Sequence, residues 1–98
     1  MVIAEVSIIP VGTGSPSLSS YIARCIKILH GKNIKFQLTP MGTVIEGEWG
    51  EVMTAIRQMQ EEIFKHGALR VVTTIKIDER RDKQSSMQDK LNSVKSKI

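Results

Sequence analysis

At 98 residues and 41% hydrophobic content, the chain has apolar material for one modest core and leaves little room for a deep interior pocket. One Trp, one Tyr and two Phe are too few for a base-stacking nucleic-acid surface, and a lone cysteine excludes both an intrachain disulfide and a cysteine-built zinc site. The net charge of +4 is uneven, since residues 6–45 hold Arg24, Lys27, Lys32 and Lys35 and no acid; this half either steers nucleic acid or phosphorylated small molecules or simply forms a solvated helix face.

Residues 2–11 alternate, with Val2, Ala4, Val6 and Ile8 on one side and Ile3, Glu5, Ser7 and Ile9 on the other, which predicts a strand. Gly12-Thr13-Gly14 breaks it, and Ser15-Pro16 supplies a cap followed by a proline suited to a first helical turn. Leu18, Tyr21, Ile22, Cys25, Ile26 and Leu29 then recur at helical spacing, predicting a helix over 16–30 that ends near Gly31. Two short strands follow at 34–39 and 42–48. They meet at Pro40-Met41-Gly42, where Pro40 pre-sets the entry and Gly42 is free to take positive φ.

A second helix is expected over 49–66, with Val52, Met53, Ile56, Met59, Ile63 and Phe64 facing inward and Gly67 as its stop. Leu69–Ile77 is rich in Val, Ile and Thr and reads as a fourth strand. The order β-α-β-β-α-β is that of the ferredoxin-like α+β sandwich, an antiparallel sheet with two helices on one face. From 78 to 98 a polar connection leads into a thinner stripe of Met87, Leu91, Val94 and Ile98, predicting a C-terminal helix that docks on its own domain or on a neighbouring subunit. One domain spans 1–98. Strict alternation cannot place Ile3, Ile9 and Ile45 all under the helices, so the second sheet face carries apolar residues among Ser7, Gln37, Thr39 and Thr74. Sheet-to-sheet association of two copies is the economical cover for it.

The run Gln37-Leu38-Thr39-Pro40-Met41-Gly42-Thr43-Val44-Ile45-Glu46-Gly47 resembles the central motif of the thiamine-binding (YkoF-like) family. Ile9-Pro10-Val11-Gly12-Thr13 fits the same family, as does Arg70-Val71-Val72-Thr73-Thr74-Ile75-Lys76-Ile77 with Arg80-Arg81-Asp82-Lys83 after it. The resemblance implies non-catalytic binding of thiamine or a related pyrimidine, and assembly as dimers and often tetramers. Longer relatives carry two copies of the domain. A site formed between their halves would here need two subunits.

The candidate ligand residues are Thr39, Thr43 and Glu46 around the hairpin, with Ser7 and Gln37 on the sheet and Thr13 and Ser17 near the start of the first helix. An aminopyrimidine presents an amino donor and ring-nitrogen acceptors, which call for a carboxylate or carbonyl together with hydroxyls. Glu46 could in addition face a cationic thiazolium ring. Against this, the threonines are good strand formers and Glu46 could pair with a surface lysine. Ser7 and Gln37 could equally be fillers at a subunit contact. Thr13 and Ser17 stand where an anion could meet a helix N-terminus, but the loop lacks the Gly-Lys-Ser/Thr ending of a phosphate-binding loop and simple capping also accounts for it.

His30 and His66 each end a predicted helix ahead of a glycine, far apart and without clustered carboxylates, so no metal site and no acid–base pair is expected. Cys25 lies on the apolar stripe and reads as a buried thiol. Trp49 opens the second helix as a core or interface anchor or a ring for a ligand to stack on. Arg80-Arg81-Asp82-Lys83 reads as a solvated linker or an intersubunit ion-pair cluster. The expectation is a small-molecule binder, not an enzyme, with no cofactor and no nucleic-acid partner. The alternative is an oligomeric regulatory domain that binds another small metabolite or an anion. No apolar run reaches membrane-spanning length and no signal peptide opens the chain, so no membrane partner and a cytoplasmic location are expected.

Overall fold

The computed structural model describes residues 1–14 and 18–98. Four strands and three helices follow one another as β1 (Val2–Val11), α1 (Ser19–Gly31), β2 (Lys35–Thr39), β3 (Gly42–Gly47), α2 (Trp49–Lys65), β4 (Arg70–Glu79) and α3 (Met87–Lys95). The strands form one antiparallel sheet in the order β2-β3-β1-β4. β1-α1-β2 and β3-α2-β4 each skip a strand, giving the two interleaved crossovers of the ferredoxin-like fold expected from the sequence.

Alternation sorts the faces as the sequence predicts. Val2, Ala4 and Val6 of β1 and Ile45 of β3 are buried beneath Val52, Ala55, Ile56, Met59 and Ile63 of α2. On the opposite face Ser7 pairs with Thr74 and Ile9 with Val72, while Gln37 pairs with Val44. Ile9 and Val72 are exposed by 43% and 45%, so this second face is apolar in part and uncovered over much of its area.

Two expectations for the helices need correction. Phe64 lies outside the core, 39% exposed, because its position on α2 follows the buried Ile63 and turns away from the sheet. The described part of α1 begins at Ser19 behind Leu18, which makes no side-chain cap; the Ser15-Pro16 cap expected from the sequence lies outside the described residues. Only Cys25 and Leu29 of α1 are buried, and the helix packs chiefly on α2. Ile22 of the same stripe is 42% exposed. The stripe on α1 is thus longer than the surface it covers.

The C-terminal helix is present and stands on the opposite face from α1 and α2. Ser86 caps it, accepting from the Asp89 backbone N–H at 3.0 Å, while Asp89 accepts from the Ser86 N–H at 3.1 Å. This reciprocal box satisfies two of the free donors at the helix start. Lys90 then pairs with Asp78 on β4. No residue of α3 is fully buried, and Val94 and Ile98 are open to solvent.

Candidate functional site

The β2–β3 hairpin closes with Thr39 paired to Gly42 and only Pro40 and Met41 between them. Neither linking residue has positive φ. Two-residue hairpins usually need such residues, because the mirror-image turns match the strand twist. Here the Thr39 side chain supplies the closure. Its Oγ1 accepts from the Met41 and Gly42 N–H groups at 3.2 and 3.1 Å and donates to the Gly42 carbonyl at 2.8 Å.

Gly42 also departs from expectation, since its φ is not positive. The glycine is required by packing: a Cβ there would lie 2.9 Å from the Val6 carbonyl oxygen on the neighbouring strand. Lacking that atom, β3 approaches β1 closely at the end of the sheet.

Beside this hairpin, between it and α1, is a cavity of about 290 Å³. Leu18, Ile22 and Cys25 of the α1 side and Met59 of α2 face the hairpin residues 38–43 and the β1 residues 6–9 across it. Among the described residues α1 packs chiefly on α2 and leaves the hairpin end of the sheet incompletely covered. No charged side chain among the described residues lines it. Such a space favours a flat, uncharged ring and penalises a buried ion that has no counter-charge.

Thr43 is 7% exposed and shares the helix-covered face with Val6 and Ile45. Its hydroxyl group places a donor and acceptor on the helix-covered side of the wall. Ser7 and Thr39 also border the cavity, although strand alternation assigns their side chains to the other sheet face. Cys25 donates weakly to the Met59 carbonyl, with Sγ at 3.8 Å. Burial, with a smaller contribution from the nearby Glu62 carboxylate, pushes its thiol up to about 11, so the wall carries a neutral S–H at physiological pH.

The structure separates Glu46, Gln37 and Thr13 from this cavity. Glu46 is 7% exposed on the opposite face, between Ile3 and Lys35 in the strand register. Its Oε2 accepts from the Met87 N–H at 3.4 Å, at the first residue of α3. A carboxylate facing a helix N-terminus is electrostatically favourable and helps to seat α3 on the sheet. Gln37 is exposed on the edge strand β2 of that same face. Thr13 is half-buried in the connection after β1, between Gly12 and Gly14, while Ser17 lies outside the described residues.

His30 makes an edge contact with the Phe36 ring, centroids 6.4 Å apart. His66 bridges helices, its Nε2 lying 2.9 Å from Glu62 Oε1 and 3.0 Å from Arg24 Nη1. Among the described residues no group of three His, Cys, Asp or Glu is placed to hold a metal ion. Trp49 is half-exposed at the start of α2 and does not line the cavity. No helix among the described residues is long and apolar enough to cross a membrane.

Sequence reasoning passed over Leu18, Ile22, Cys25, Leu38 and Met59 as wall residues. All but Leu38 belong to helical stripes that equally describe a filled core. Leu38 is 54% exposed at the hairpin despite its helix-facing register, and only the three-dimensional fold shows the gap.

The thiamine-binding protein family matches residues 4–95 of the chain. The UPF0045 protein YqgV of Bacillus subtilis (strain 168) is 48% identical, with the match covering 96% of this chain and 94% of that one. A UPF0045 protein of Methanothermobacter thermautotrophicus is 43% identical over the whole of both chains. The crystal structure of a hypothetical protein from Methanocaldococcus jannaschii superposes with a TM-score of 0.87 at 37% identity, covering 96% of this chain and 95% of that one.

Proposed function

The chain belongs to the thiamine-binding protein family, and from that premise and the uncharged cavity beside the hairpin we propose that it is a non-catalytic binding protein for thiamine or a related pyrimidine. The observation that carries the reading is the cavity between α1 and the β2–β3 turn, with Thr43 as a polar point in its wall. An aminopyrimidine is flat and uncharged at neutral pH, and it suits such a wall. The cationic thiazolium of thiamine belongs at the mouth, where water solvates its charge.

In this reading Ser7, Thr39 and Thr43 border the ligand, and Thr13 and Ser17 belong to the segment between β1 and α1. Gln37 faces the open part of the opposite sheet side, where a second copy is proposed to sit, while Glu46 on that side is covered by the start of α3. Support for that second copy comes from Ile9, Val11 and Val72, each exposed by at least 40% on the uncovered face. A homo-oligomer is therefore part of the proposal. Sedimentation equilibrium should return a dimer or tetramer mass, and a monomer at working concentration would remove this part.

Thr43→Val keeps the shape of the side chain and removes its hydroxyl. It should weaken thiamine binding about tenfold, the worth of one lost hydrogen bond in a dry site. Circular dichroism should show the fold intact. An affinity equal to that of the unmodified protein would take Thr43 out of the site.

A further inference from the structure

A second concave region lies on the sheet face opposite α1 and α2. It is a depression of about 390 Å³ bounded by the end of β4, the chain that follows it and Lys90 of α3. It shares no wall residue with the cavity beside the hairpin. Four cationic side chains line it, Arg80, Arg81, Lys83 and Lys90, against one acid, Asp78. Gln84 and Ser85 add uncharged hydrogen-bonding groups.

The local sequence explains the concentration. β4 ends at Glu79, so the residues after it are released from strand alternation and several of their side chains line the same depression. α3 is seated by its contacts with Glu46 and Asp78 and brings Lys90 to the opposite wall. The carboxylates that hold the arginines lie outside the depression: Asp82 meets Arg80 at 2.5 and 2.8 Å, and Glu79 meets Arg81 at 3.1 Å. Lys90 is paired with Asp78.

Those pairs are solvent-exposed, with Arg81 at 87% and Lys90 at 53% side-chain exposure. The Arg81 and Lys90 pairs hold their partners weakly at such exposure, whereas Arg80 is gripped by Asp82 through two parallel bonds. A phosphoryl group presents several anionic oxygens at once, and the planar guanidinium fork matches them in pairs.

We propose that this depression is a binding site for a phosphoryl anion, a phosphate monoester or a pyrophosphate, held by Arg81 and Lys83 with Lys90 and the Asp82-paired Arg80 completing the charge. The site is independent of the cavity beside the hairpin and stands or falls without it. A ligand here would bridge the β4 end to α3, whose own packing buries no residue completely.

The test is a calorimetric titration with inorganic pyrophosphate and, separately, with glycerol phosphate, repeated at low and moderate salt. Saturable binding of one anion per chain is expected. Arg81→Glu and Lys83→Glu should each weaken it about tenfold or more. Lys27→Glu, on exposed α1 with the same change in net charge, should leave it within twofold. Preference for pyrophosphate or for the monoester then assigns the form of the ligand. Thr43→Val should retain anion binding, which separates this site from the thiamine proposal. No saturable binding of either anion, or equal weakening by Lys27→Glu, would overturn the assignment, because the response would then reflect overall charge alone.

Discussion

Leu29→Ala is expected to be among the most damaging single changes in the molecule, costing about 3 kcal/mol of stability. The side chain is completely buried, and with Cys25 it makes the most deeply buried contacts of α1 with the core. Truncation removes its apolar contacts and leaves a void that the surrounding core can fill only in part. For a domain of this size the melting temperature should fall on the order of 15 °C. Since total stability of such domains is roughly 5–15 kcal/mol, the variant would remain foldable with a small margin. Thermal melts followed by circular dichroism provide the check. A shift within a few degrees would mean that α1 is held by other contacts and that its seating on α2 has been misread. The same loss should weaken ligand binding, because α1 supplies one wall of the cavity.

Gly42→Ala should destabilise by roughly 1–3 kcal/mol, a large effect for one methyl group. The added Cβ would stand 2.9 Å from the Val6 carbonyl oxygen, a rigid backbone atom. Either β3 withdraws from β1 or the hairpin rotates, and both movements disturb the three hydrogen bonds made by the Thr39 hydroxyl. Gly50→Ala is the matched control. Nothing lies within 4 Å of a Cβ at Gly50, in the first turn of α2, so that change should be neutral or stabilising by up to about 1 kcal/mol through helix propensity. Chemical denaturation of both variants separates the two cases. Equal stability of Gly42→Ala and the unmodified protein would show that the strand approach is more forgiving than 2.9 Å implies.

Those two residues mark how far the sequence could be read. Strand alternation alone assigned Val2, Ala4 and Val6 to the covered face and left Ile3, Ser7 and Ile9 on the other, because a period of two fixes sides without any long-range knowledge. The same reasoning gave both crossovers, the hairpin and the C-terminal helix. What periodicity does not carry is the identity of the element that covers each side chain. Phe64 satisfies a helical pattern yet lies half outside the core, and Ile22 belongs to a stripe that outruns its partner surface. The role of Gly42 was hidden for the same reason: a glycine in a turn suggests backbone conformation, whereas the requirement arises from a carbonyl on another strand 36 residues away in sequence.

The site was legible in location more than in membership. The hairpin motif drew attention to Thr39 and Thr43, which do border the cavity. Glu46 lies three residues beyond Thr43, and an odd separation along a strand puts the two side chains on opposite faces. That inference was available from the sequence once the strand was accepted. The contact between Glu46 and Met87 was not, since it joins residues 41 positions apart through a helix whose docking no local pattern specifies.

The proposed function rests on thiamine entering the cavity between α1 and the hairpin. Calorimetric titration of the unmodified protein with thiamine at moderate salt tests it most directly, with a thermal melt at saturating ligand as the second readout. The account predicts saturable binding of one thiamine per chain, and stabilisation of about 2.7 kcal/mol when free ligand stands at a hundred times the dissociation constant. No heat and no thermal shift at high thiamine concentration would contradict it, and would leave the cavity without the ligand proposed for it.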